Sequence, residues 1–172
     1  IHHHYHTHGP VDARSVTKVD INILLDDTFS RAINIDQFAK QIEVSNADVE
    51  NIGTIGAVAG ITKVILRSLA EMDIDQRPVH CSNVRRNTLH VRSENKWDSN
   101  VENVHEKLRA AIRGVSTKHM STMVGWKNTD PRFGPQITPE IIDTYQSILS
   151  TLASRSAELN TGKIMRDIGA NT

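Results

Sequence analysis

The chain has 172 residues, 38% of them hydrophobic and 23% charged, with 20 Lys+Arg set against 20 Asp+Glu. That is enough apolar material for one packed domain, which excludes disorder throughout, and a chain without net charge is no bulk polycation, so any nucleic-acid contact must come from a local patch. Aromatics at 4% offer no broad stacking platform for bases, no apolar run approaches ~18 residues, so no membrane-spanning helix is expected, and the single Cys81 excludes an intrachain disulfide framework and fits a reducing compartment.

Five of the nine histidines fall in the first eight positions, in the order Ile1-His2-His3-His4-Tyr5-His6-Thr7-His8. One reading is an affinity tag or a loose tail, although Tyr5 and Thr7 interrupt the run. The other reading is geometric. In an extended chain His2, His4, His6 and His8 share one face. One such strand converges few ligands on a point, but three strands around an axis supply six imidazoles per His-x-His pair. This resembles the His-x-His rungs in the intertwined fibre tips of some tailed phages, which hold iron octahedrally. Imidazole suits Fe, Ni, Zn and Cu alike, so ligand type leaves the metal open. After Gly9-Pro10, Thr17, Val19, Ile21 and Ile23 alternate with Lys18, Asp20 and Asn22, which predicts a strand with one buried side. No second strand follows by a short hairpin. Residues 1–25 therefore read as an extended arm that pairs with sister copies, and a homo-oligomer, a trimer if the His rungs form, is expected.

Residues 26–159 read as a mainly helical body. Asp26 and Asp27 start one turn, Asp36 opens a second with Phe38, Ala39 and Ile42 on its apolar side, and Ser45 or Asn46 caps a third. The glycines of NIGTIGAVAG lack the order of a dinucleotide fingerprint or a phosphate loop and predict close helix approach instead. Val58, Ile61, Ile65, Leu69 and Met72 then recur at helical spacing. Pro78 ends that pattern. Val79-His80-Cys81 and Thr88-Leu89-His90-Val91 predict a hairpin over 78–92, with Cys81 packed. Arg77, Arg85, Arg86 and Arg92 make the stretch basic, and helix followed by basic hairpin is the outline of a winged helix whose wing touches phosphate. The competing reading has these arginines solvated or paired with the acidic stretch Asp20–Glu50. Trp97 anchors the hairpin's end, and Asp98 or Ser99 caps the next helix, whose stripe is Val101, Val104, Leu108, Ala111, Ile112 and Val115. His105 and His119 are expected at the core edge or the surface. After Trp126 and a Pro-Gly loop, Thr138-Pro139-Glu140 opens a last long helix lined by Ile141, Tyr145, Ile148 and Leu152, widened by Leu149 and Ala153. Residues 160–172 read as a C-terminal tail, loose or docked.

From INILLDDTFSRAINIDQFAKQI through NIGTIGAVAGITKVILRSLAEMDIDQRPVHCSNVRRNTLHVRSENKW, the chain resembles a domain found in proteins of large DNA viruses. The likeness covers about residues 20–125. Its most specific part is the RPVHCSNVRRNTLHVRSENKW element. In that family an Asn/Thr-rich extended segment often precedes the domain, and a zinc finger sometimes lies before it. The resemblance implies a viral origin, in a virion or the host cell interior, and brings no activity with it. The paired cysteines of a finger are missing here, so a finger-borne DNA role is not carried over.

The fold expected is α+β, mainly helical, with an extended N-terminal arm and one hairpin in the helical body. No nucleophile elbow, phosphate loop, His-Glu-x-x-His or Cys-x-x-Cys pair is present, so no enzyme is expected. The expected role is a viral structural or assembly protein that self-associates through its arm and meets other virion proteins. The alternative is a nucleic-acid-binding module using the hairpin arginines.

Overall fold

A computed structural model describes residue 21 and residues 23–172. The His2, His4, His6 and His8 stripe and the first part of the expected strand lie outside the described residues.

A single 29-residue helix, α5 (Val101–Thr129), organises the body. At a rise of 1.5 Å per residue it is about 43 Å long. Val104, Leu108, Ala111, Ile112, Val115, His119, Met123 and Trp126 recur at three- and four-residue spacing and are all buried. Val101, expected in this stripe, is 78% exposed, while Val104 one turn on is buried. The helix is capped by Asn100, which accepts the Asn103 backbone N–H at 3.1 Å. The cap is neither of the two expected, Asp98 and Ser99; Asp98 accepts the Asn100 N–H at 2.9 Å while still in its strand.

Five elements precede the sheet or lead into it. A helical segment over residues 23–28, here α1, comes first, and residue 21 is also helical. This corrects the expected strand at its described end, and Asp26 and Asp27 lie within the helix instead of opening it. Next come α2 (Ile35–Gln41), α3 (Asn46–Ile55) and α4 (Ala57–Ala70), with a 3-10 turn at Ile74–Gln76. Ser45 opens α3 with a reciprocal box: its Oγ accepts the Asp48 N–H at 3.1 Å, and the Asp48 carboxylate accepts the Ser45 N–H at 2.9 Å. Gly56, with φ +87° and ψ 165°, forms the elbow between α3 and α4. Past the elbow Gly60 lets the two helices touch, since a Cβ there would stand 2.7 Å from Ile52 Cγ1. The expected close approach is present at this residue.

The sheet holds β1 (Val79–Asn83), β2 (Thr88–Ser93) and β3 (Lys96–Asp98), antiparallel in that order. Val79 pairs with Val91, His80 with His90 and Cys81 with Leu89. The hairpin is as expected; β3 is an addition. It returns through Glu94 and Asn95, both at positive φ (53° and 60°), the turn geometry that matches strand twist. One face of the sheet sends Val79, Leu89 and Val91 into the main core, with Cys81 packed at its edge. The opposite face carries Trp97, which joins Leu25 and Ala32 in a second, small core, and His80, whose ring stacks on Phe29 at 3.7 Å.

After α5 a 3-10 turn, Pro131–Phe133, leads to α6 (Pro139–Ala153), α7 (Ser156–Leu159) and α8 (Thr161–Asn171). Thr138 caps α6 with Pro139 in its first turn, as the sequence predicts. The C-terminal segment is docked, not loose: Ile164, Met165 and Ile168 of α8 are buried, and α8 packs on α4, α5 and β1. No helix among the described residues is long and apolar enough to cross a membrane.

The φ and ψ of Gly56 lie in a region that side-chain-bearing residues scarcely enter. Gly56→Ala is therefore expected to lower unfolding stability by about 1–3 kcal/mol. Nothing stands within 4 Å of the added Cβ, so the cost is conformational and not steric. Urea denaturation of the variant beside the parent measures it.

Candidate interaction surfaces

The four hairpin arginines do not form one patch. Arg85 and Arg86 lie exposed on the turn between β1 and β2. Arg77 and Arg92 sit half-buried at the other end of the ladder, where the Arg92 N–H bonds the Pro78 carbonyl at 2.8 Å. Four strand residues at about 3.4 Å each put roughly 14 Å between the two pairs. The Arg92 guanidinium donates to the Phe29 carbonyl at 3.3 Å, so it ties the α1 segment to the sheet. The tip pair has no ion-pair partner among the described residues.

Within the acidic stretch, Asp48 and Glu50 are instead paired from elsewhere. Arg67 on α4 makes a two-pronged bond to the Asp48 carboxylate at 2.7 and 2.8 Å and holds that carboxyl well below the usual range. Arg132, in the turn after α5, clamps Glu50 at 2.7 and 3.0 Å and Asp130 at 2.7 Å. Both of those carboxyls are lowered by its guanidinium. Arg31 reaches Asp75 at 3.1 Å. Except for Arg132 with Asp130, two residues apart, these partners are 19 to 82 residues apart in sequence, which is why sequence reading missed them. The Arg132 clamp also closes an aromatic cluster: Phe133 meets Trp126 edge-on at 4.9 Å, and Tyr145 of α6 lies 6.2 Å from Trp126.

Two grooves lie beside α2. One, of about 510 Å³, lies beside the Asp48–Arg67 pair between the end of α2 and the end of α4. The other, of about 710 Å³, runs between α2 and the first half of α5. Its floor is made of small residues, Ala39, Ala110, Ala111 and Gly114, and its rim carries Lys40, Lys107, Arg113 and Lys118. Lys118 Nζ donates to the carbonyls of Lys40 and Ile42 and so caps the exposed end of α2. Arg113 pairs with Glu158 at 3.2 Å. Lys40 and Lys107 have no ion-pair partner among the described residues.

Among the described residues His80, His90 and His119 are buried. His90 lies between two hydroxyls, Ser99 at 2.6 Å and Ser82 at 2.8 Å. His119, expected at the surface or core edge, is fully buried because α3 and α4 close over the middle of α5. Its Nδ1–H donates to the Val115 carbonyl at 2.8 Å, which leaves Nε2 as the lone-pair nitrogen. His105 stays on the α5 surface beside Arg109, at 2.7 Å. Among the described residues no group of three or more His, Cys, Asp or Glu converges as metal ligands would. Comparison with protein-family models, curated proteins and solved structures finds no match to this chain.

Burial lowers the pKa of His80, His90 and His119, and the Arg77 charge adds to the effect at His80. Protonating His119 would also create an N–H with no acceptor. The folded state thus binds these protons less readily than the unfolded chain, so stability falls as pH drops below about 6.5, the ordinary histidine value. The paired carboxylates Asp48 and Glu50 lose their contribution only at lower pH, below about 4. Urea midpoints are expected to fall between pH 7.5 and 5, and His119→Gln to flatten that slope. A midpoint constant over this range contradicts the burial argument.

Proposed function

We propose that this chain is a non-enzymatic assembly protein that self-associates, with residues 1–20 and an apolar surface of the body as its contacts. The observation that carries the reading is α6. Its inner face buries Ile141, Ile148 and Leu152, while Ile142 and Leu149, seven residues apart and so on one outer stripe, are 37% and 40% exposed. Ile137, just before the helix, is 38% exposed as well. Aligned apolar residues on a solvent face mark a contact surface more often than isolated ones do. The resemblance to viral domains supports a place in a virion or an infected cell, and the His-x-His stripe would favour three copies around a transition metal.

Light scattering on the full chain is expected to give a multimer at low micromolar concentration. A chain starting at residue 21 is expected to give a smaller one. Full-length protein that stays monomeric at high concentration overturns the reading.

A second reading rests on Arg85 and Arg86, exposed and without ion-pair partners at the hairpin tip. As a nucleic-acid contact the pair would make affinity for duplex DNA fall with salt, and Arg85→Ala with Arg86→Ala would reduce the log–log salt slope by about 2. Fluorescence anisotropy across a salt series checks both. A slope unchanged by the double substitution removes the tip from the binding surface.

A further inference from the structure

We infer that Ser82 is an activated nucleophile: His90 takes its hydroxyl proton, Ser99 holds the imidazole, and the freed oxygen accepts an acyl group from a carboxylic ester. The inference goes beyond the assembly reading and does not depend on it, since a monomer carries the same three side chains.

Three observations support it. The first is the order of the contacts. His90 Nε2 lies 2.8 Å from the Ser82 hydroxyl, and its Nδ1 lies 2.6 Å from the Ser99 hydroxyl. A neutral imidazole has one N–H and one lone pair. With the proton on Nδ1, the ring donates to Ser99 and accepts from Ser82. A hydroxyl bonded to a base that a third group orients is the arrangement that activates a serine.

The second is exposure. His90 is 3% exposed, whereas Ser82 is open to solvent and Ser99 is half-buried. Burial favours the neutral ring, so the base form is present at pH 7. The reactive oxygen faces water while its base does not, and an ester reaches Ser82 without entering the core.

The third is the backbone. The ladder between β1 and β2 slips here: Cys81 pairs with Leu89 and Asn83 with Thr88, which leaves Ser82 as the extra residue of a bulge. A bulge re-aims a side chain, and the hydroxyl of this one meets the His90 ring, eight residues on. The turn that follows carries Arg85 and Arg86, and residues 81–93 contain no Asp or Glu. Negative charge on the attacked group thus develops on a hairpin whose only charges are cations, which favours it.

The step balances without a further reactant. Ser82 Oγ bonds to the acyl carbon as its proton passes to His90 Nε2. The C–O bond to the alcohol then breaks, and the departing oxygen takes the proton back from Nε2. The products are O-acyl-Ser82 and the free alcohol. One acyl group is placed on each chain, so the chain is modified and no turnover is asked of it.

The test is labelling of the full chain with an alkyl fluorophosphonate and with p-nitrophenyl acetate, each adduct located by mass spectrometry. Ser82 is expected to react about a hundredfold faster than Ser121, an exposed serine on α5, and His90→Gln to remove that advantage. Ser82→Ala should abolish the fast adduct. Two readouts on the unaltered chain need no variant. The rate should be level above about pH 6.5, the ordinary histidine value, and fall only below it as the ring is protonated. Nitrogen-15 shifts of the His90 ring should place its proton on Nδ1. A proton on Nε2, a rate that climbs steadily with hydroxide, labelling of Ser82 no faster than of Ser121, or a rate unchanged in folded His90→Gln overturns the inference.

Discussion

The body depends on one helix having a single continuous apolar stripe. Each buried Ile, Leu, Val or Met on α5 contributes about 1.5–3 kcal/mol relative to exposure, and the same stripe is the counter-surface for α2, α3, α4, α6, α7, α8 and β2. No other element touches so many partners. At its far end Trp126 is fully buried, and its Nε1–H donates to the Asp130 carboxylate at 2.9 Å, just past the end of the helix. In its middle Lys118 reaches the free carbonyls at the end of α2. A cation at a helix C-terminus satisfies orphan acceptors and opposes the dipole. The helix that supplies the core thus also closes an end of a neighbour.

The sheet solves a different problem. Three short strands have two faces, and only one can meet the long helix. The other face carries His80, His90 and Trp97, too apolar for water and too polar for a dry core. The segment around α1 covers it: Phe29 stacks on His80, Leu25 and Ala32 pack on Trp97, and the Phe29 carbonyl accepts from Arg92. The turn between β2 and β3 is fixed from outside as well. Asn34, at the start of α2, exchanges two hydrogen bonds with Asn95, at 2.9 and 2.8 Å. Those bonds help hold Glu94 and Asn95 at positive φ without glycine.

Where structure is set by neighbours in sequence, the residues declare it. Ser45 with Asp48, Thr138 with Pro139, and the stripes of α4 and α5 are local patterns, and they were readable. The hairpin was readable because Val79-His80-Cys81 and Thr88-Leu89-His90-Val91 flank a polar turn. Strand β3 was hidden: it is three residues long, and its turn is held by Asn34, 61 residues away. The end of the expected arm misled for a plainer reason. Ile21 and Ile23 alternate as a strand would, but Ile21 and Leu25 are also four apart, and both pack in the small core beneath Trp97. Over so few residues, periods of 2 and 3.6 are not distinguishable. The basic hairpin was legible as composition only. Whether four arginines form one surface depends on where along the ladder each one falls, and here they split between the tip and the base.

The zero net charge conceals an arrangement. Asp48, Glu50, Asp75 and Glu158 are each taken by an arginine distant in sequence. These pairs join segments of one molecule and cancel within it. The charges they leave over are mixed: Lys40 and Lys107 line one groove together with Asp36 and Glu94. Exposed pairs of this kind add little energy individually, about 0–1 kcal/mol. Their effect is on which segments lie side by side, while the apolar stripe of α5 supplies the attraction.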